Sequence, residues 1–127
     1  MAGQRSKFDI NLGWNDEFCS LSVKSFLDIK VEDCARDVAA DFLMQTNEDM
    51  WLGHFVIDTV SKHPCYQYTM LLEHIPSAVS VEMISDVVEN AVRECDRFYS
   101  TFKMLADGSI HSHELLSTAL METIGEA

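Results

Sequence analysis

Apolar residues occupy every second position from Phe8 to Trp14, at Phe8, Ile10, Leu12 and Trp14, with Asp9, Asn11 and Gly13 between them. Such alternation predicts a strand with one apolar face. Asn15-Asp16 supplies turn dihedrals, and Cys19, Leu21 and Val23 resume the alternation towards Leu27 and Ile29, which reads as a hairpin. Between Glu32 and Thr46 the spacing lengthens. Val31, Cys34, Ala35, Val38, Ala39, Phe42 and Leu43 recur at three and four residues, with Glu32 and Asp33 in the first turn, as expected of an amphipathic helix. Phe55 and Ile57 return to alternation, Ser61 to Pro64 form a loop, and Tyr66, Tyr68, Met70 and Leu72 give a further strand. Ser80 is a natural N-cap for a helix of about 20 residues, whose stripe is Ile84, Val87, Val88, Ala91, Cys95, Phe98 and Phe102. Asp107-Gly108 breaks it, and a last helix runs from about His113 to Thr123, with Gly125 as its stop.

The junction Asn47-Glu-Asp-Met-Trp-Leu-Gly53-His-Phe55 separates segments of opposite period. Asn47 is suited to the left-handed conformation that ends a helix, and Gly53 to opening a strand where another backbone comes close. The order β-β-α-β-β-α-α predicts an α+β domain over residues 1–127, an antiparallel sheet of about four strands with helices on one face.

Composition changes this picture little. The chain of 127 residues is 47% apolar and carries 21 acidic against 9 basic residues, a formal charge of -12. That balance argues against nucleic acid and anionic membranes, both of which select basic patches. Nowhere do 18 apolar residues run together, and the first residues lack the apolar core of a signal peptide, so a cytoplasmic protein is expected. Cys19, Cys34, Cys65 and Cys95 form no C-x-x-C pair. Three of them fall in apolar periodic patterns, which suggests small buried hydrophobes in a reducing compartment.

Catalytic chemistry finds little support. His111-Ser-His113 offers two imidazoles without a third ligand or an adjacent Glu, so no metal is assigned. His54, His63 and His74 lie outside any nucleophile motif, and the acidic pairs sit where turns and helix starts use carboxylates locally. With five glycines, the chain has no phosphate-cradling loop and no cofactor is expected. The aromatic and methionine residues exceed what so small a core requires. Met50 and Trp51, on the short connection, and then Trp14, Tyr99 and Phe102 are the candidates for a partner or dimer contact.

Leu43-x-x-x-Asn47-x-x-x-Trp51-Leu-Gly53-His-Phe55, then Tyr68-x-Met70-Leu-Leu72, resemble the helix-end, Gly-x-Phe and following strand of the YbjN family. Glu94-Cys-Asp-Arg-Phe-Tyr99 and Met121-Glu-Thr-Ile-Gly-Glu-Ala127 are similar to the C-terminal pattern of its alphaproteobacterial members. Members are described as sensory transduction regulators and grouped by fold with type III secretion chaperones. The resemblance implies a chaperone-like α+β fold, no enzymatic activity, no catalytic residues and protein partners. Asn47, Gly53 and Phe55 are then structural. Two departures stand out: the start near Phe8, without the usual leading helix and strand, leaves a sheet edge missing or borrowed from a neighbour, and Ala106 to Ser112 lacks a glycine-rich connection.

The expectation is a non-enzymatic protein-binding module, a chaperone-like adaptor or regulator and a homodimer, that holds a partner segment on apolar sheet and helix surface. The rival readings are a self-associating structural oligomer without a client and, behind it, a metal protein or enzyme using His111 and His113.

Overall fold

In the computed structural model, which describes residues 8–125, the first alternating run folds as β1 (Phe8–Asn15) and the second as β2 (Ser20–Leu27). Asn15 Oδ1 accepts the Phe18 N–H at 3.1 Å to close the turn between them, and Cys19 takes a φ of 51° there. The chain continues through α1 (Arg36–Asp49), β3 (His54–Ile57), β4 (Pro64–Leu71), α2 (Ser77–Asp107) and α3 (His113–Gly125). All strand pairs are antiparallel and the sheet order is β1-β2-β4-β3, so the β-β-α-β-β-α-α reading holds.

The register places Phe8, Ile10, Leu12 and Trp14 on the same face as Leu21, Val23 and Leu27 of β2 and Tyr66 and Met70 of β4. Helix α2 covers β2 and β4, and α1 packs on β3. The opposite face carries Ser22, Lys24, Gln67 and Thr69, with Ser22 and Thr69 hydroxyls 3.2 Å apart. Phe42, Phe55, Phe98 and Phe102 meet edge to face in the centre, with Phe42 and Phe102 centroids 4.8 Å apart. Edge-to-face pairs set a positive ring rim against a negative ring face, which adds orientation to apolar burial.

Several local expectations are corrected. Strand β2 ends at Leu27, and Ile29 and Val31 reach the core from extended but irregular chain, anchored by Val31 N–H to Lys62 O at 2.9 Å. A 3-10 turn at Asp33–Ala35 precedes α1 and resets the helical phase, which leaves Cys34 exposed instead of in the stripe. Cys65 and Cys95 are buried while Cys19 is half-buried, so of the three cysteines in apolar patterns only Cys95 is a core residue. Helix α2 has 31 residues, not about 20: it starts four residues earlier, with Pro76 and not Ser80 as its N-cap, and it runs unbroken to Asp107. A proline disfavours the helical region for the residue before it, so the chain turns at Ile75 and the helix starts directly after Pro76. Gly108, with a φ of 87°, ends it in the left-handed conformation, as Asp107-Gly108 predicts. The last two residues of the Met121 to Ala127 pattern lie outside the described residues.

The largest correction concerns Asn47. It lies inside α1, whose C-cap is Met50 with a φ of -81°, so no left-handed residue ends this helix. Instead its carboxamide reaches the outer edge of β3: Asn47 Nδ2 donates to Phe55 O at 2.9 Å and Phe55 N–H donates to Asn47 Oδ1 at 2.8 Å. An amide side chain presents the same donor and acceptor as a peptide group, so Asn47 replaces one pairing of an absent strand. Gly53 takes the positive φ, 74°, and what comes close to it is the Tyr66 ring and not another backbone: a Cβ there would overlap that ring. Asn47→Ala is expected to cost about 1–3 kcal/mol in urea unfolding, because it unpairs two part-buried backbone groups at once. Asn47→Asp keeps the acceptor but sets a carboxylate against Phe55 O, so it does not restore stability. A midpoint within error of wild type for both would contradict the pairing.

Candidate functional site

The connection Met50 to Gly53 is held from behind and free in front. Behind it, Tyr66 Oη donates to Leu52 O at 2.9 Å and accepts from Asn90 Nδ2 at 2.8 Å, and Asn90 Oδ1 accepts from Arg93 at 3.3 Å. Tyr66 is fully buried, and burial pushes its phenol above the usual range despite the Asn90 hydrogen bond. This chain of polar groups threads the core from β4 to α2 and fixes Leu52, which orients the residue before it. Trp51 is 85% exposed.

In front, a groove of about 580 Å³ opens between the end of α1, this connection, the middle of α2 and α3. Its apolar wall is Met50, Trp51, Leu52, Phe98, Leu120 and Met121. Gln45, Thr46, Asp49, Asn90, Glu94, Arg97 and Ser117 supply the polar lining. Two of those polar groups stand out, since Thr46 Oγ1 and Glu94 Oε1 are buried without a hydrogen-bond partner. Glu94 Oε1 has Arg97 3.8 Å away, which gives charge but no hydrogen bond, and Arg97 lies 5.2 Å over the Phe98 ring. A buried polar atom without a partner is costly to the fold.

The residues singled out in the sequence are distributed unequally. Met50 and Trp51 come together in the groove; Trp14 lies apart on β1, with Nε1 donating to Asp16 Oδ1 at 2.6 Å. Tyr99 is half-buried against the core. Phe102 is fully buried against Phe42 and Phe55, so it belongs to the core and not to a contact surface. Thr46, Glu94 and Leu120 were not singled out as contact candidates, since they converge only once three helices pack. Only the Glu94 and Arg97 pair, three residues apart on one helix, left a local trace.

Candidate chemistry is otherwise occupied. His113 Nδ1 sits 2.7 Å from Asp41 Oδ2 and joins α3 to α1. Gln45 and then His113 hold the Asp41 carboxyl below its usual range. His63 Nδ1 lies 3.0 Å from Leu27 O, and Asp58 accepts the Ser61 N–H at 2.7 Å, which lowers its pKa. Among the described residues no three of His, Cys, Asp or Glu converge to hold a metal ion, and no helix is long and apolar enough to cross a membrane. Burial pushes the Cys95 thiol up to about 12, although its Sγ lies 3.4 Å from Ser25 Oγ.

Residues 5–104 match the model of the YbjN family, described as "Putative bacterial sensory transduction regulator". No curated protein and no solved structure matches the chain at significance. The match runs through β1 to near the end of α2 and includes the whole connection that carries Trp51.

The thiols provide a direct check of this packing. Iodoacetamide is expected to label exposed Cys34 first and to reach Cys65 and Cys95 only on unfolding. The Cys95 thiol titrates higher folded than unfolded, so its contribution to stability is complete below pH 9 and is lost as pH rises towards about 12. Labelling of Cys95 in the native protein at the rate of Cys34 would contradict the burial.

Proposed function

The chain belongs to the YbjN family, and from that premise we propose that it is a non-enzymatic protein-binding regulator, a chaperone-like adaptor that grips a partner segment through the groove beside Trp51 and works as a cytoplasmic homodimer. The observation that carries this reading is the pairing of an outward tryptophan with a groove that is apolar on its walls. Tryptophan is enriched among residues that dominate binding energy, because it brings a large rigid area at low entropic cost.

The chemistry of the groove describes the segment it accepts. An apolar anchor fits between Trp51, Leu120 and Met121, and a basic side chain suits the carboxylates of Asp49 and Glu94 in the lining. The formal charge of -12 steers the same choice, since acidic segments are repelled before they dock. No reaction is needed for this task. A regulator of this kind acts by occupying a segment and releasing it.

The test compares wild type with Trp51→Ala, each used to recover partners from native extract at physiological salt, with identification by mass spectrometry. Trp51 is so exposed that its loss should leave the urea midpoint unchanged. A partner held by wild type should bind Trp51→Ala at least about tenfold more weakly, the scale of a truncated binding anchor. Equal retention by both proteins would contradict the groove, and no partner above background would contradict the adaptor reading itself.

A further inference from the structure

The two edges of the sheet are treated differently. The outer edge of β3 is occupied by the Asn47 carboxamide, whereas no described residue pairs with the outer edge of β1. The direction of each backbone group follows from that clip. Phe55 points its N–H and C=O away from β4, and in antiparallel ladders successive residues alternate sides, so Cys65 and Gln67 bond β3 while Tyr66, Tyr68 and Met70 bond β2. The Leu72 N–H to Cys19 O bond at 2.9 Å extends the same phase. In β2 the residues left to bond β1 are Ser22, Lys24 and Phe26, and their partners are Gly13, Asn11 and Asp9. The backbone groups of Ile10, Leu12 and Trp14 therefore point outward.

Those three residues are also the exposed apolar side chains of β1, at 37%, 54% and 53% exposure. They are on the face of the sheet that the helices cover, but α2 lies over β2 and β4, and among the described residues β1 is exposed beyond Phe8. Free backbone groups and uncovered apolar side chains thus coincide along one strand. We propose that β1 pairs antiparallel with β1 of a second copy about a two-fold axis at Leu12, which joins the two sheets into one; this interface deepens the homodimer reading given above.

Self-pairing follows from phase and charge. A two-fold axis on Leu12 sets Leu12 opposite its own copy and Ile10 opposite Trp14, so apolar meets apolar on one face and outward backbone groups meet outward ones. Any register displaced by one residue would put the apolar sets on opposite faces. On the polar face Asn11 meets Gly13 and Asp9 meets Asn15; Asp9 is the only ionisable residue in β1, so no carboxylates oppose each other. A two-fold pairing uses the same edge in both copies, and the Asn47 carboxamide on Phe55 obstructs the β3 edge against head-to-tail growth, so association stops at two copies. A single strand pair covers less than the roughly 800 Å² per partner of a standard interface. The dimer is accordingly reversible, and added salt strengthens it by screening the charge of -12 on each copy.

Cross-linking reads this geometry directly. Residues exchanging both hydrogen bonds in an antiparallel pair have Cα atoms about 5.5 Å apart, within disulfide reach, whereas Asn11 and its copy stand about 8 Å apart in this register. In a full-length background with Cys19→Ser and Cys34→Ser, Leu12→Cys should form a disulfide-linked dimer under mild oxidation and Asn11→Cys should not. Light scattering of the unmutated protein should show the mass rising from 14.4 kDa towards twice that value with concentration. Leu12→Lys should hold it at the monomer value with an unchanged unfolding midpoint. A mass of 14.4 kDa at every concentration would overturn both this interface and the homodimer reading. A dimer that Leu12→Cys fails to link would overturn the interface alone, and either result leaves the Trp51 comparison to judge the groove separately.

Discussion

A sheet needs partners for the backbone groups of its outermost strand, and here one edge is satisfied by a side chain. The Asn47 carboxamide grips both polar groups of Phe55, and that grip fixes where α1 ends relative to β3. The four residues from Met50 to Gly53 must then turn sharply in a small space. Gly53 allows the turn through its φ of 74°, and Tyr66 fills the room that a Cβ would need. Leu52 O is held by the Tyr66 hydroxyl, and Trp51 beside it points outward, 85% exposed.

The same clip divides the surface into two regions of different character. Near the junction, three helices leave a concave groove with apolar walls, beside which Thr46 Oγ1 and Glu94 Oε1 are buried without a hydrogen-bond partner. At the other end of the sheet, β1 offers a flat, alternating strand, which suits another strand. Acidic residues are scattered over much of the remaining surface, and the high negative charge opposes indiscriminate association. Selective binding in such a protein depends on where apolar groups are left uncovered.

The architecture was legible because it rests on period. Alternation located all four strands, and three- and four-residue spacing located the three helices. The boundaries that failed are those where a local rule was outweighed: Pro76 outranked Ser80 as a helix start, and the 3-10 turn at Asp33–Ala35 shifted Cys34 to the surface. Asn47 was located correctly and explained wrongly, because its role depends on a strand eight residues away in sequence and not on its own dihedral angles. At the site, Met50 and Trp51 were readable as apolar residues on a short connection. Glu94, Thr46 and Leu120 were not, since a groove assembled from separated helices leaves no spacing to read. Phe102 was misjudged because one helical stripe cannot reveal that α1 and β3 close over it.

The two sheet edges differ in whether their backbone groups are paired, and amide hydrogen exchange in dilute monomer measures that difference residue by residue. Phe55, bonded to Asn47, should exchange as slowly as the interior strands, while Leu12 and Ile10 should exchange nearly as fast as unpaired chain. Rapid exchange at Phe55, or slow exchange at Leu12 in protein shown to be monomeric, would contradict it.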